Sequence, residues 1–269
     1  MTAYTLSNLT VAFAIAAAAG LFTVLGSALV IFSKTPNPRI LSFGLAFAGG
    51  AMVYVSLTEI LSKASEAFTQ TYGASRGFAA ATLAFLAGLA AIAFIDRVIP
   101  NPHETLDPQD PAFRENKRRH IARVGMMAAV AITAHNFPEG LATFFATLEN
   151  PAVGMPLALA IAIHNIPEGI SIAAPVYYAT RSRRKTVLAC LISGLAEPLG
   201  AVLGYVFLKP FLSPAVFGAV FGIIAGVMVF LALDELLPAA KRYSDGHETV
   251  YGLTSGMGVI ALSLVLFHF

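Results

Sequence analysis

The chain has 269 residues, 57% of them hydrophobic and only 12% charged, with a mean hydropathy of +0.74. Soluble domains carry roughly 25% charged residues, so 17 Lys and Arg with 15 Asp and Glu are too few to solvate a globule of this size. That balance excludes a soluble enzyme, a disordered chain and a nucleic-acid binder working through a basic surface. The single cysteine, Cys190, excludes a disulfide framework and a cysteine-based metal site.

A membrane helix needs about 20 mainly apolar residues. In chain order the sequence offers such stretches at about 8–32, 40–61, 77–95, 124–147, 153–178, 186–208, 214–239 and 250–268. Interiors rich in Ala, Gly, Leu and Val suit close helix packing. Strict alternation is absent, which argues against an outer-membrane barrel. No Lys or Arg precedes the first stretch, so it reads as a span and not as a cleaved signal peptide. The expected fold is an all-α membrane protein of eight transmembrane helices, a single polytopic domain over 1–269 with a loop at 96–123 between spans 3 and 4.

Basic residues set the orientation. All of the 17 Lys and Arg except Lys63, Arg76 and Lys209 fall in the loops after spans 1, 3, 5 and 7. Those loops are therefore expected in the cytoplasm and both termini outside.

Two pairs of segments resemble each other. His135-Asn136-Phe137-Pro138-Glu139-Gly140 matches His164-Asn165-Ile166-Pro167-Glu168-Gly169 at every position but one. Met52–Leu61 matches Met228–Leu237 in Met, Val, Leu, Glu and the final Leu at the same spacing. Spans 4 and 5 run in opposite directions, as do spans 2 and 7, so both pairs are inverted. Inverted repeats are a transporter signature, with substrate held near the midplane at the repeat interface.

Glu139, Glu168 and Glu197 fall near the centres of spans 4, 5 and 6. Each buried charge costs roughly 2.5–3.5 kcal/mol on insertion scales. No span contains a mid-membrane Lys or Arg, so the compensating charge must come from a proton or a metal cation. His135 and Glu139 are four residues apart and share one helix face, and His164 with Glu168 repeats that spacing. Two imidazoles and two carboxylates make a borderline N/O site that accepts Zn²⁺, Fe²⁺, Mn²⁺ or Co²⁺. Asn136 and Asn165 point about 100° from their histidines, and are positioned to add amide oxygens to an adjacent second site with Glu197. Pro138 and Pro167 each remove a helix hydrogen bond, and freed carbonyls at this depth are tolerated where they face protein or a polar cavity. Further candidates for a metal or path role are Met52, Glu59 near the outer end of span 2, and Asp234 and Glu235 near the inner end of span 7.

The paired HNFPEG and HNIPEG strings, with SGLAEPLG in span 6, resemble the ZIP (Zrt/Irt-like) divalent-metal transporters over nearly the whole chain, and most closely a bacterial zinc-permease branch of them. The resemblance implies eight helices in a 3+2+3 inverted repeat and a binuclear site between helices 4 and 5. His135, Glu139, His164 and Glu168 would hold one metal, and Asn136, Asn165 and Glu197 the other, with the glutamates bridging. Met52 matches a ligand position in some relatives. Zinc would be the substrate, with iron, manganese, cobalt and cadmium also carried into the cytoplasm. A bacterial inner membrane, a homodimer and the absence of any prosthetic group follow from the same resemblance. Residues 96–123 hold only His103 and His120 as imidazoles, unlike the His-rich loop of many eukaryotic members, and read as a solvated linker.

The alternative weighed against transport is an intramembrane metal-dependent hydrolase. Such an enzyme needs a tight metal with one open position and a positioned base. The chain lacks His-Glu-x-x-His, and its ligands are split symmetrically between two helices, which suits passage of an ion better than polarisation of one water. The expected partners are a divalent cation and the lipid bilayer, with no nucleic acid.

Overall fold

The computed structural model describes residues 6–32, 38–98, 117–211, 213–244 and 246–268. Everything regular among them is helical. Helix α1 spans Leu6–Phe32. Helix α2 starts at Pro38–Val55, passes through a π-helical turn at Ser56–Ile60 and continues over Leu61–Tyr72. Then come α3 (Ala74–Val98), α4 (Lys117–Glu149) and α5 (Pro151–Thr180). Helix α6 is broken at Leu195 into Arg183–Gly194 and Ala196–Leu208. Helix α7 runs over Pro214–Leu231, a second π-helical turn at Ala232–Leu236, and Leu237–Arg242. Helix α8 spans Glu248–His268.

Seven of these helices are long and apolar enough to cross a membrane: all but α4, which carries basic residues in its first turns and His, Asn and Glu in its middle. The molecule is thus an all-α membrane protein. Boundaries differ from the sequence reading where polar helix continues beyond the apolar run. Helix α2 extends to Tyr72 instead of ending near 61, because its last stretch is amphipathic, with Ala64, Ala67 and Phe68 buried and Lys63 paired with Glu66 at 2.9 Å. A single residue, Gly73 at φ 81°, then turns the chain into α3; that backbone is nearly reserved for glycine. The expected loop at 96–123 is shortened at both ends, since α3 reaches Val98 and α4 begins at Lys117. Residues 99–116, including His103, lie outside the described residues.

Short connections are fixed by caps. The Asn150 side chain accepts from the Ala152 N–H at 3.0 Å, and the Ser213 hydroxyl oxygen from the Val216 N–H at 3.3 Å, each with proline at the first helical position. Capping and a proline whose missing N–H costs nothing there both favour a sharp helix start. The break in α6 is also local chemistry. Pro198 clashes with a helical carbonyl four residues back, which is that of Gly194, and the regular helix is interrupted at the next residue. Pro138, in contrast, sits inside a continuous α4.

Helices α1, α4, α5 and α6 pack on one another, as do α2, α3, α7 and α8, and the two groups meet chiefly where α2 touches α5 and α7 touches α4. Glycines let the backbones cross closely. A Cβ on Gly50 would collide with the Leu253 carbonyl of α8, and one on Gly256 with the Phe47 carbonyl of α2. The α3–α7 crossing has the same pair of contacts: Gly226 against the Phe85 carbonyl, and Gly88 against that of Ile223. Phe47 and Gly50 precede Met52 as Ile223 and Gly226 precede Met228, and the two π-helical turns fall at matching positions of the same like segments. Between α1 and α6, Gly20 rests on the Gly194 carbonyl and Gly194 on that of Gly20.

Candidate metal centre

The central polar residues are held where helix backbones pack closely. Gly140, directly after Glu139, lies against the Glu197 carbonyl of α6; Gly169, directly after Glu168, lies against the Thr23 carbonyl of α1. Any larger residue at either position would push the acid-bearing helix off its neighbour. The HNxPEG string therefore couples two jobs: the carboxylate faces the site, and the glycine beside it seats the helix.

Glu139, His164 and Glu168 come together, each offering a ligand atom within 4.8 Å of the others, and all three are fully buried. His164 Nε2 lies 2.9 Å from Glu139 Oε1, so the first partner of the α5 histidine is the α4 glutamate. Glu168 is within electrostatic reach of Glu139, Glu197 and Glu235. No Lys or Arg stands in this cluster. An N/O set of this kind is what Zn²⁺ and its first-row neighbours take. His135 occupies the α4 position four residues before Glu139, but its side chain lies outside the described residues.

In the second group predicted from sequence, the two asparagines take different partners. Asn165 Nδ2 donates to the Ala19 carbonyl at 2.9 Å and to Glu197 Oε1 at 2.5 Å. Asn136 Nδ2 donates instead to the Ser193 carbonyl of α6 at 3.2 Å. All of Asn136, Asn165 and Glu197 are fully buried. The amide oxygens of both asparagines, Glu197 Oε2 and His164 Nδ1 make no hydrogen bond among the described residues. An unmet buried polar atom costs about 1–3 kcal/mol, and a cation or its water would relieve several at once. The amide nitrogens are engaged by protein and the oxygens are left open, the polarity a cation requires.

Among the described residues the three-residue cluster includes none of Glu59, Asp234 and Glu235, of which Glu235 is within electrostatic reach of Glu168. Met52 is wholly buried in the main apolar core, beside Val55 and Ile60. Glu59 is half-buried in the π-helical turn of α2, and Asp234 and Glu235 are half-buried in that of α7. Ser193, Ala19 and Thr23 were missed by the sequence reading. All three act through backbone carbonyls, which no residue type reveals.

Comparison with known proteins agrees with this chemistry. Residues 100–264 match the sequence model of the ZIP zinc transporter family. The chain is 82% identical to the zinc transporter ZupT of Neisseria meningitidis serogroup B, covering all of both chains. It is 68% identical to the ZupT of Xanthomonas axonopodis pv. citri, over 100% of this chain and 99% of that one. It is 48% identical to the ZupT of Chlorobium chlorochromatii, over 97% and 98%. These relatives are transporters and not enzymes, which removes the hydrolase reading. The buried His/Glu cluster, the doubled motif and the full-length likeness agree, and the chain belongs to the ZIP family of zinc transporters.

Proposed function

We propose that this protein takes up zinc, and with it iron, manganese, cobalt and cadmium, into the cytoplasm across a bacterial inner membrane. The observation that carries the reading is the fully buried Glu139–His164–Glu168 cluster, which among the described residues includes no Lys or Arg. A pair of metals would be held, one by His135, Glu139, His164 and Glu168, the other by Asn136, Asn165 and Glu197, with glutamates bridging. The open amide oxygens and Glu197 Oε2 support the second position.

In this reading α4 is the eighth crossing, its basic start on the cytoplasmic side and both chain termini outside. The helices are related as 3+2+3: α1–α3 to α6–α8, and α4 to α5. The matched glycine crossings and paired π-helical turns support that relation. Glu59 and Glu235 then occupy equivalent places in oppositely directed helices, suited to pass ions at opposite mouths, with Asp234 beside the inner one. Met52 is a further ligand on the path. The connection from α3 to α4 lies on the cytoplasmic side. The assembly is a homodimer, read by the mass of the protein in nanodiscs.

The test is influx of each metal into liposomes loaded with a metal-sensitive dye, with Glu139→Ala and Glu168→Ala alongside. Zinc influx that both variants lose is the expected result. Undiminished influx in both would remove the site from the path.

A further inference from the structure

The α1–α6 crossing carries one residue that the site reading leaves unused. About the reciprocal Gly20–Gly194 contact, the two helices place like groups in like positions. A Cβ on Gly20 would stand 3.3 Å from the Glu197 Cβ, and a Cβ on Gly194 would stand 3.6 Å from the Thr23 Cβ. Asn165 Nδ2 donates to the Ala19 carbonyl, four residues before Thr23, while Asn136 Nδ2 donates to the Ser193 carbonyl, four residues before Glu197. Gly26 lies against the Ile166 carbonyl as Gly200 lies against that of Phe137. These backbone contacts on one side have counterparts on the other, with Asn136 exchanged for Asn165 and Thr23 for Glu197.

The exchange differs in the break of α6 at Leu195, which α1 lacks, and in side-chain chemistry. On one side Asn165 meets a carboxylate. On the other, the position that corresponds to Glu197 is held by Thr23, a neutral hydroxyl. Thr23 is fully buried, and Thr23 Oγ1 makes no hydrogen bond among the described residues; neither does Asn136 Oδ1. Two buried polar oxygens left open on facing helices mark a place for a small polar occupant.

Resting on the two-metal reading above, we propose that Thr23 Oγ1 and Asn136 Oδ1 form a neutral half of the metal site, hold a metal-bound water there, and so position the cation bound by Asn165 and Glu197. A hydroxyl at this place leaves the centre with three carboxylates, Glu139, Glu168 and Glu197, against two divalent cations. A fourth carboxylate would hold the ions more tightly and slow their release. Thr23 is thus a positioning residue that sets how readily the site empties.

Zinc affinity is measured by calorimetry on the purified full-length protein, with thermal unfolding of the metal-free form alongside. Thr23→Val removes the hydroxyl with little change in shape. Groups that orient a metal's ligands cost about 10–100-fold in affinity when lost, and that loss is expected here, with the affinity retained in Thr23→Ser. The metal-free Thr23→Val protein is expected to unfold no earlier than the unaltered one, since an unmet polar group has gone; a purely structural threonine would lower both. A swap carries the test independently: Glu197→Thr weakens zinc binding, and Thr23→Glu with Glu197→Thr restores most of it on the opposite side. Unchanged affinity in Thr23→Val overturns the proposal, as does failure of the swap to restore binding if Thr23→Val does not fold. Zinc binding unaffected by Glu139→Ala and Glu168→Ala would instead overturn the site reading itself.

Discussion

His164 of α5 meets Glu139 of α4 at 2.9 Å, so the two copies of the repeated motif interlock across the helix pair and do not stand as two separate half-sites. A metal bound there ties the helices together. The Glu139→Gln variant keeps the shape and hydrogen-bonding size of the side chain but loses its charge. We expect zinc influx to fall by roughly tenfold or more, since a direct ligand outweighs a group that only orients one, whose loss costs ~10–100-fold. Initial rates in dye-loaded liposomes check this, and influx within twofold of normal (~0.4 kcal/mol) would deny Glu139 a ligand role.

Binding should also stabilise the fold. A ligand held by the native state alone adds RT ln(1 + [L]/Kd), about 2.7 kcal/mol at 100 times Kd. Zinc should raise the unfolding temperature of the purified protein in a concentration-dependent manner. The same titration on a protein carrying both Glu139→Ala and Glu168→Ala should give a flat line; an equal rise in both would place the zinc elsewhere.

Metal binding requires neutral imidazole and ionised carboxylate. Protons and zinc therefore compete, so affinity falls as pH falls and each binding event releases protons. Calorimetry in buffers of different ionisation enthalpy counts them. A heat of binding that does not vary with buffer would mean that no proton leaves on binding, against this expectation.

Gly73 makes the only link between α2 and α3, at φ 81° and ψ 166°. That region is essentially restricted to glycine and costs other residues roughly 1–3 kcal/mol. Nothing stands within 4 Å of where its Cβ would go, so the cost of Gly73→Ala is conformational and not steric. The variant should unfold earlier by an amount of that size while zinc affinity is unchanged. An unfolding temperature equal to that of the parent protein would show that the turn relaxes freely.

The elements of this structure divide by how far their cause lies in the local sequence. Apolar length marks every helix but α4 directly, and the doubled His-Asn-x-Pro-Glu-Gly string marks Glu139, His164 and Glu168, because ligand chemistry depends on residue type. The extension of α2 to Tyr72 was missed, since an amphipathic continuation outside the apolar stretch looks like loop on hydropathy alone. The break at Leu195 was missed because a proline interrupts one helix, α6, and is absorbed in another, α4, depending on what packs against the freed carbonyl. Which glutamate His164 meets was equally hidden: spacing put Glu168 on its own face, while the crossing of α4 and α5 put Glu139 closer. That Asn136 and Asn165 donate to two different carbonyls, of Ser193 and Ala19, was not legible either, because only the three-dimensional crossing of α1 and α6 supplies them.

Gly20 and Gly194 press on each other's carbonyls, so together they fill one gap and not two. A methyl group added at either position must force α1 and α6 apart, and once they are apart a methyl group at the second meets less resistance. Alanine at both sites should therefore cost clearly less than the two single changes added together, with the interaction energy of 0.5–3 kcal/mol, about the range seen for coupled neighbours, appearing as relief. Divergence at this spot is then easiest as a paired event: a chain that has enlarged one glycine has already half-opened the way for the other.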